Sequence, residues 1–158
     1  MQEGNWDVEF YEEDDGTEPV VDWLEGDLSD PGRLAAIAAI EEVLEPNGTN
    51  ICSSEWGKNL GQGLYELRIR HSAEEIMRMF GSDPTDQDDE DGEGSESVLL
   101  RVYFMTAGRK VILLVAGYDK GRYGGGKREQ KAIATARKRI TAQQERQRRA
   151  KAQRRKGR

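Results

Sequence analysis

Several ingredients of familiar chemistry are scarce in this 158-residue chain. It has one cysteine, Cys52, and one histidine, His71. A lone cysteine permits no internal disulfide, which fits a reducing cytoplasm. One Cys and one His cannot build a structural zinc site. No apolar run approaches the ~18 residues of a membrane span, and the opening MQEGNWDVEFYEEDD lacks the pattern of a signal peptide. A cytoplasmic protein with no membrane association is expected. Apolar residues are 35% of the chain and charged ones 34%, so a modest core with long solvated stretches follows.

What is present is charge, divided unevenly. Residues 1–117 carry 8 Lys/Arg against 27 Asp/Glu, a net of −19, whereas residues 118–158 carry 16 against 3, a net of +13. A basic C-terminal segment on an acidic body points to nucleic acid or another polyanion as its partner. Residues 82–97, SDPTDQDDEDGEGSES, contain no apolar side chain and eight Asp/Glu. Such a stretch cannot bury anything and is expected to be a disordered acidic insertion.

Elements follow from periodicity. Asn5–Tyr11 alternates, with Trp6, Val8 and Phe10 on one face of a strand. TEPVVDWLEGDL predicts a short helix capped by Thr17 with Pro19 in its first turn. SDPGRLAAIAAIEEVLEPNG predicts a longer helix, capped by Ser29 or Asp30 and stopped at Pro46-Asn47-Gly48, with Leu34, Ile37, Ile40, Val43 and Leu44 as its buried stripe. Trp56 falls in a loop. GLYELRIR reads as a strand, SAEEIMRMFG as a helical turn or two, and VLLRVYFM and KVILLVAGY as a hairpin. A final helix begins near Lys127, with Ile133, Ala136 and Ile140 as its apolar stripe, and is expected to fray beyond Ile140. The three late strands lack helical crossovers, so the fold class expected is α+β, a small antiparallel sheet with helices on one face. The domain is expected over residues 1–142 and a basic tail over 143–158.

Gly121–Lys127 spells G-x-x-x-x-G-K, but Arg128 follows where a phosphate-binding P-loop needs the Ser or Thr hydroxyl that holds magnesium. No nucleotide cofactor is expected. The same stretch does gather Tyr118, Lys120, Arg122, Tyr123, Lys127 and Arg128 after a strand end. Arg68 and Arg101 lie on the neighbouring strands. Cations converging without paired carboxylates suit a phosphate whose charge grows in a transition state. Pairing of Arg68 and Arg101 with the abundant acidic residues is the plainer alternative.

Three stretches in order, LGQGLYELRIR, LLRVYFMTAGRKVILLVAGYDKG and KREQKAIATARKRI, resemble the HigB-type branch of the RelE/ParE toxin superfamily, phage- and bacteria-borne toxins of type II toxin–antitoxin systems. The resemblance spans roughly Trp6 to Ile140. It implies a small sheet faced by helices, a helix-turn-helix antitoxin as partner, and metal-independent, cofactor-free cleavage of mRNA on the ribosome, with the RNA 2′-hydroxyl attacking the adjacent phosphate. By the same resemblance Arg101 stabilises transition-state charge, Arg68 positions the phosphate, and Lys120 and Lys127 serve the RNA backbone or proton transfer. Arg122, Arg128, Tyr118 and Tyr123 are expected to bind RNA. Glu66 departs from the pattern, standing where many RelE-like toxins carry a second lysine. ParE-type relatives poison DNA gyrase without cleaving anything, so a non-enzymatic toxin or binding module is the alternative.

Overall fold

The computed structural model describes residues 5–81 and 96–156. Its sheet has five strands: β1 (Asp7–Phe10), β2 (Gly57–Gly61), β3 (Leu64–Ile69), β4 (Leu100–Gly108) and β5 (Val111–Asp119), in the order β1-β5-β4-β3-β2. Strands β2 to β5 pair antiparallel, as short connections require. The first strand completes the sheet in parallel with β5, Asp7 opposite Val111 and Phe10 opposite Leu114. The α+β class is as expected from sequence, but the sheet is mixed. β1 and β5 are separated by most of the chain, so no hairpin turn dictates their direction.

Between β1 and β2 run α1 (Pro19–Asp22), α2 (Asp30–Ala39) and α3 (Glu45–Asn47). π turns at Trp23–Asp27 and Ile40–Leu44 extend α1 and α2, and a 3-10 turn at Gly48–Ser53 leads to β2. Ser29 caps α2 by accepting from the Gly32 N–H at 3.2 Å. Thr17 does not cap α1: Glu18 occupies the cap position, and the Thr17 N–H donates to Asp15 Oδ1. The buried stripe of α2 also differs from the expected one. Leu34 and Ile37 are each 39% exposed, while Ala35, Ala36, Ala38 and Ala39 are buried. The alanines bring the helix close to its neighbours. The wider turn at Ile40–Leu44 then shifts the helical phase, so that Ile40, Val43 and Leu44 continue inward.

Strand β2 falls where the sequence suggests only a loop. It hairpins onto β3 through Gly61, Gln62 and Gly63, all at positive φ. Helix α4 (Ala73–Phe80) carries a capping box: Ser72 Oγ accepts from the Glu75 N–H, and Glu75 Oε1 accepts from the Ser72 N–H, each at 3.1 Å. All but the last two residues of the acidic stretch 82–97 lie outside the described residues. After β5 come α5 (Lys120–Tyr123) and α6 (Lys127–Lys156).

The sheet is covered on both faces rather than one. Side chains of α1, α2 and α4 pack with Leu67, Ile69, Leu100, Val102, Phe104, Ile112 and Leu114. Trp6, Val8 and Phe10 join this cluster on the face expected for them. Gly117 belongs to the same layer, where a Cβ would come within 2.3 Å of the Trp23 ring. On the opposite face α6 seats Ala136 and Ile140 against Leu64, Tyr103, Met105, Leu113, Val115 and Tyr118, with Ile133 partly buried beside them.

Helix α6 does not end at Ile140. Arg146 donates to Glu12 O and Asp14 Oδ1, both at 2.7 Å, and lies over the Tyr11 ring, while Gln147 donates to Ala107 O. These contacts fasten a further two turns, which an apolar stripe alone does not predict. Among the described residues, no helix is long and apolar enough to cross a membrane.

Candidate functional site

Strand alternation decides which side chains share the α6 face. On β3 these are Leu64, Glu66 and Arg68; on β4, Arg101, Tyr103 and Met105. The β3–β4 register sets Arg68 directly opposite Arg101 and Glu66 opposite Tyr103. The β4–β5 register sets Tyr118 opposite Arg101. Arg68, Arg101 and Tyr118 therefore meet on three adjacent strands, as the sequence suggests.

Their electrostatics differ from the expectation of unpaired cations. Glu66, only 3% exposed, lies between the two arginines. Its Oε1 accepts from Arg68 Nε at 2.9 Å, and its Oε2 is 3.9 Å from Arg101 Nε. Arg101 is also 3% exposed, and its Nη1 donates to Leu100 O at 3.1 Å. Burial depresses its basicity, as do Arg68 and Arg70, against the support of Glu66 and Glu129. Arg68 keeps about a quarter of its side chain accessible. In this conformation the deepest cation is thus covered and faces a carboxylate, whereas Arg122, Lys127 and Arg128 are exposed.

Those outer groups sit at the corner between β5 and α6. Asp119 Oδ1 caps α5 by accepting from the Arg122 N–H. Tyr123 is 41% exposed, with the guanidinium of Arg122 5.1 Å and that of Arg128 4.7 Å from its ring centre. The Tyr118 ring lies 6.2 Å from that of Tyr123, and its hydroxyl donates to Gly124 O. Lys120 Nζ pairs with Glu129 Oε1 at 3.5 Å. Lys127 opens α6 exposed, and its side chain makes no hydrogen bond or ion pair among the described residues. The corner therefore gathers Arg122, Tyr123 and Arg128 tightly, holds Lys120 against a carboxylate, and leaves Lys127 at its rim.

Two site residues escape a reading by residue type. Tyr103 is wholly buried between Glu66 and the α6 face, and its hydroxyl has no hydrogen-bond partner among the described residues. Burial, reinforced by Glu66 and Glu129, raises its pKa far above the ordinary tyrosine value. Glu129, in the first turn of α6, acts electrostatically on Arg101, Tyr103 and Tyr118 alike. Period-two alternation flags Glu66 and Tyr103 as facing the same side as Arg68 and Arg101. Their pairing requires the β3–β4 register, which the long connection between those strands hides from sequence.

No protein-family model matches this chain, and no curated protein matches it. The fold and the site define an α+β protein with one hydrocarbon face and one face bearing a buried ion cluster beneath an arginine–tyrosine corner.

Proposed function

We propose that this protein is the toxin of a type II toxin–antitoxin pair, acting in the cytoplasm on mRNA held by the ribosome and neutralised by a helix-turn-helix antitoxin. The observation that carries this reading is the row of Arg68, Arg101 and the buried Tyr118 on β3, β4 and β5, next to a corner where Arg122 and Arg128 flank the exposed Tyr123 ring. Phosphate oxygens accept from Arg122, Arg128 and Lys127 at the corner. Arg68, partly accessible, positions the phosphate next to the reacting ribose. Arg101 supplies positive potential from below. The reaction forms a bond from the 2′-oxygen to phosphorus as the bond to the 5′-oxygen breaks. The 2′-hydroxyl proton is lost and the leaving oxygen gains one.

A second reading, a non-enzymatic toxin or binding module acting on gyrase or another protein, is favoured by one specific feature. Glu66 neutralises the two arginines that the cleavage mechanism uses most. The two readings separate on induced expression in a bacterial host, with 5′ ends mapped on a translated reporter transcript. Cleavage predicts new ends within translated codons, lost in a folded Arg101→Ala protein; one such donor is worth about 10²–10³ in rate. Growth arrest without new ends selects the second reading, and no arrest at all refutes the toxin assignment.

A further inference from the structure

Two buried donors on the α6 face make no hydrogen bond with any described residue: Arg101 Nε, whose counter-charge Glu66 Oε2 stands off at 3.9 Å, and the Tyr103 hydroxyl. They project from one strand, two residues apart, on the same side. Buried polar groups nearly always find partners, so this pair calls for an explanation. Both can donate; Glu66 gives Oε1 to Arg68, and its Oε2, 3.9 Å from Arg101 Nε, lies beyond hydrogen-bond reach. What the two can share is an acceptor with no proton of its own.

The cover over them is of a particular kind. Tyr118, beside Arg101, anchors the chain through its hydroxyl to Gly124 O. Lys120 reaches forward to Glu129 across the same loop. The loop between is Gly124-Gly125-Gly126, with Gly124 and Gly126 at φ +74° and +80°. A Cβ on either would meet nothing within 4 Å, so these glycines serve backbone conformation and not close packing. No residue of α5 is buried. Besides those two contacts, the corner is held by the Gly121 N–H on Leu99 O, the Gly124 N–H on Lys120 O, the Asp119 cap of α5 and the Arg128 guanidinium over the Tyr123 ring.

We propose that the corner from Lys120 to Gly126 is a latch over a closed oxyanion site formed by Arg101 Nε and the Tyr103 hydroxyl. The site opens to a phosphoryl oxygen when the Tyr118–Gly124 and Lys120–Glu129 contacts release. The ligand class rests on the proposed function; the latch does not. The rim cations Arg122, Lys127 and Arg128 bring a phosphodiester to the corner, and its arrival competes with Glu129 for Lys120. Opening then gives both orphaned donors the acceptor they lack.

The test uses Glu129→Gln, which cuts one latch contact and leaves the rim cations in place. Without ligand, amide hydrogen exchange from Asp119 to Glu129 should quicken in this variant, and likewise in Tyr118→Phe. Unchanged protection in both overturns the latch, whatever the protein binds. The site is tested with a short single-stranded oligoribonucleotide and four proteins: wild type, Glu129→Gln, Tyr103→Phe and the double variant. Tyr103→Phe should weaken binding, and most in the Glu129→Gln background where the open site is more populated, there by roughly two- to tenfold, the range for one hydrogen bond. Tightening by Glu129→Gln that survives loss of the Tyr103 hydroxyl overturns the oxyanion site, since removal of a repelling carboxylate then explains it. If none of the four binds RNA, the phosphoryl ligand and the proposed function fall together, and the exchange result still decides the latch.

Discussion

The two faces of the sheet are built from the same strands by opposite rules. Toward α1, α2 and α4 the strands present Leu67, Ile69, Leu100, Val102, Phe104, Ile112 and Leu114, all essentially without exposed surface. Toward α6 the alternate positions of β3 and β4 present Glu66, Arg68, Arg101 and Tyr103 before reverting to Met105. The first face is a packed hydrocarbon layer whose worth scales with the area removed from water. The second carries ions and a hydroxyl into a dry place, where desolvation cancels much of what their attraction returns. Stability should therefore come mostly from the first face and specific chemistry from the second, so substitutions on the two faces should have different signatures.

The largest effect is expected in the hydrocarbon layer. Phe104→Ala removes a fully buried ring and should cost about 3–5 kcal/mol of unfolding free energy by denaturant titration. A cost under about 1 kcal/mol would mean that the layer is looser than its burial indicates. On the other face, Arg101→Ala strands the buried Glu66 carboxylate with Arg68 as its remaining partner, at a cost on the order of 3 kcal/mol. Replacing both members, as Glu66→Leu with Arg101→Met, should recover most of that loss, because no charge is then left buried alone. If the double variant is as unstable as the single one, the pair contributes more than its desolvation takes away.

Smaller effects distinguish the faces further. Ser72→Ala breaks the capping box of α4 and should cost about 1 kcal/mol. Tyr103→Phe deletes a hydroxyl without a partner and should be neutral or slightly stabilising near neutral pH. Its signature lies at alkaline pH. Burial raises the Tyr103 pKa in the folded protein above the unfolded value of about 10. Its contribution is therefore complete below pH ~10 and declines as the pH climbs from there toward the folded value. Tyr103→Phe should flatten that alkaline decline; an unaltered slope would mean that other groups cause it. Removing residues 148–156, which follow the last anchoring contact at Gln147, should leave the melting temperature nearly unchanged.

Local signals made much of this fold legible. The β4–β5 hairpin, the Ser29 cap, the edge strand with Trp6, Val8 and Phe10 inward, and the Ala136–Ile140 stripe all follow from patterns within a few residues. What local pattern cannot carry was missed. The π turn that rotates α2 inverts the roles of Leu34 and its alanine neighbours. The parallel pairing of β1, and α6 on the far face of the sheet, are decided by long-range packing. The basic and aromatic site residues were visible as residue types. The ion pair of Glu66 with Arg68 lies within one strand, but its approach to Arg101 required a register spanning some thirty residues of intervening chain.

The division between faces is tested most directly by the salt dependence of binding to a short single-stranded oligoribonucleotide. Arg122/Arg128→Gln on the α6 face should be compared with Arg33/Arg78→Gln on the opposite side. The corner pair should weaken binding severalfold and reduce the slope of log affinity against log salt by about 1.4, the loss of two phosphate contacts to a single strand. The opposite pair, which removes the same charge from α2 and α4, should leave the slope unchanged. Equal weakening and equal slopes for the two pairs would contradict the account, because RNA would then be responding to net charge and not to a built face.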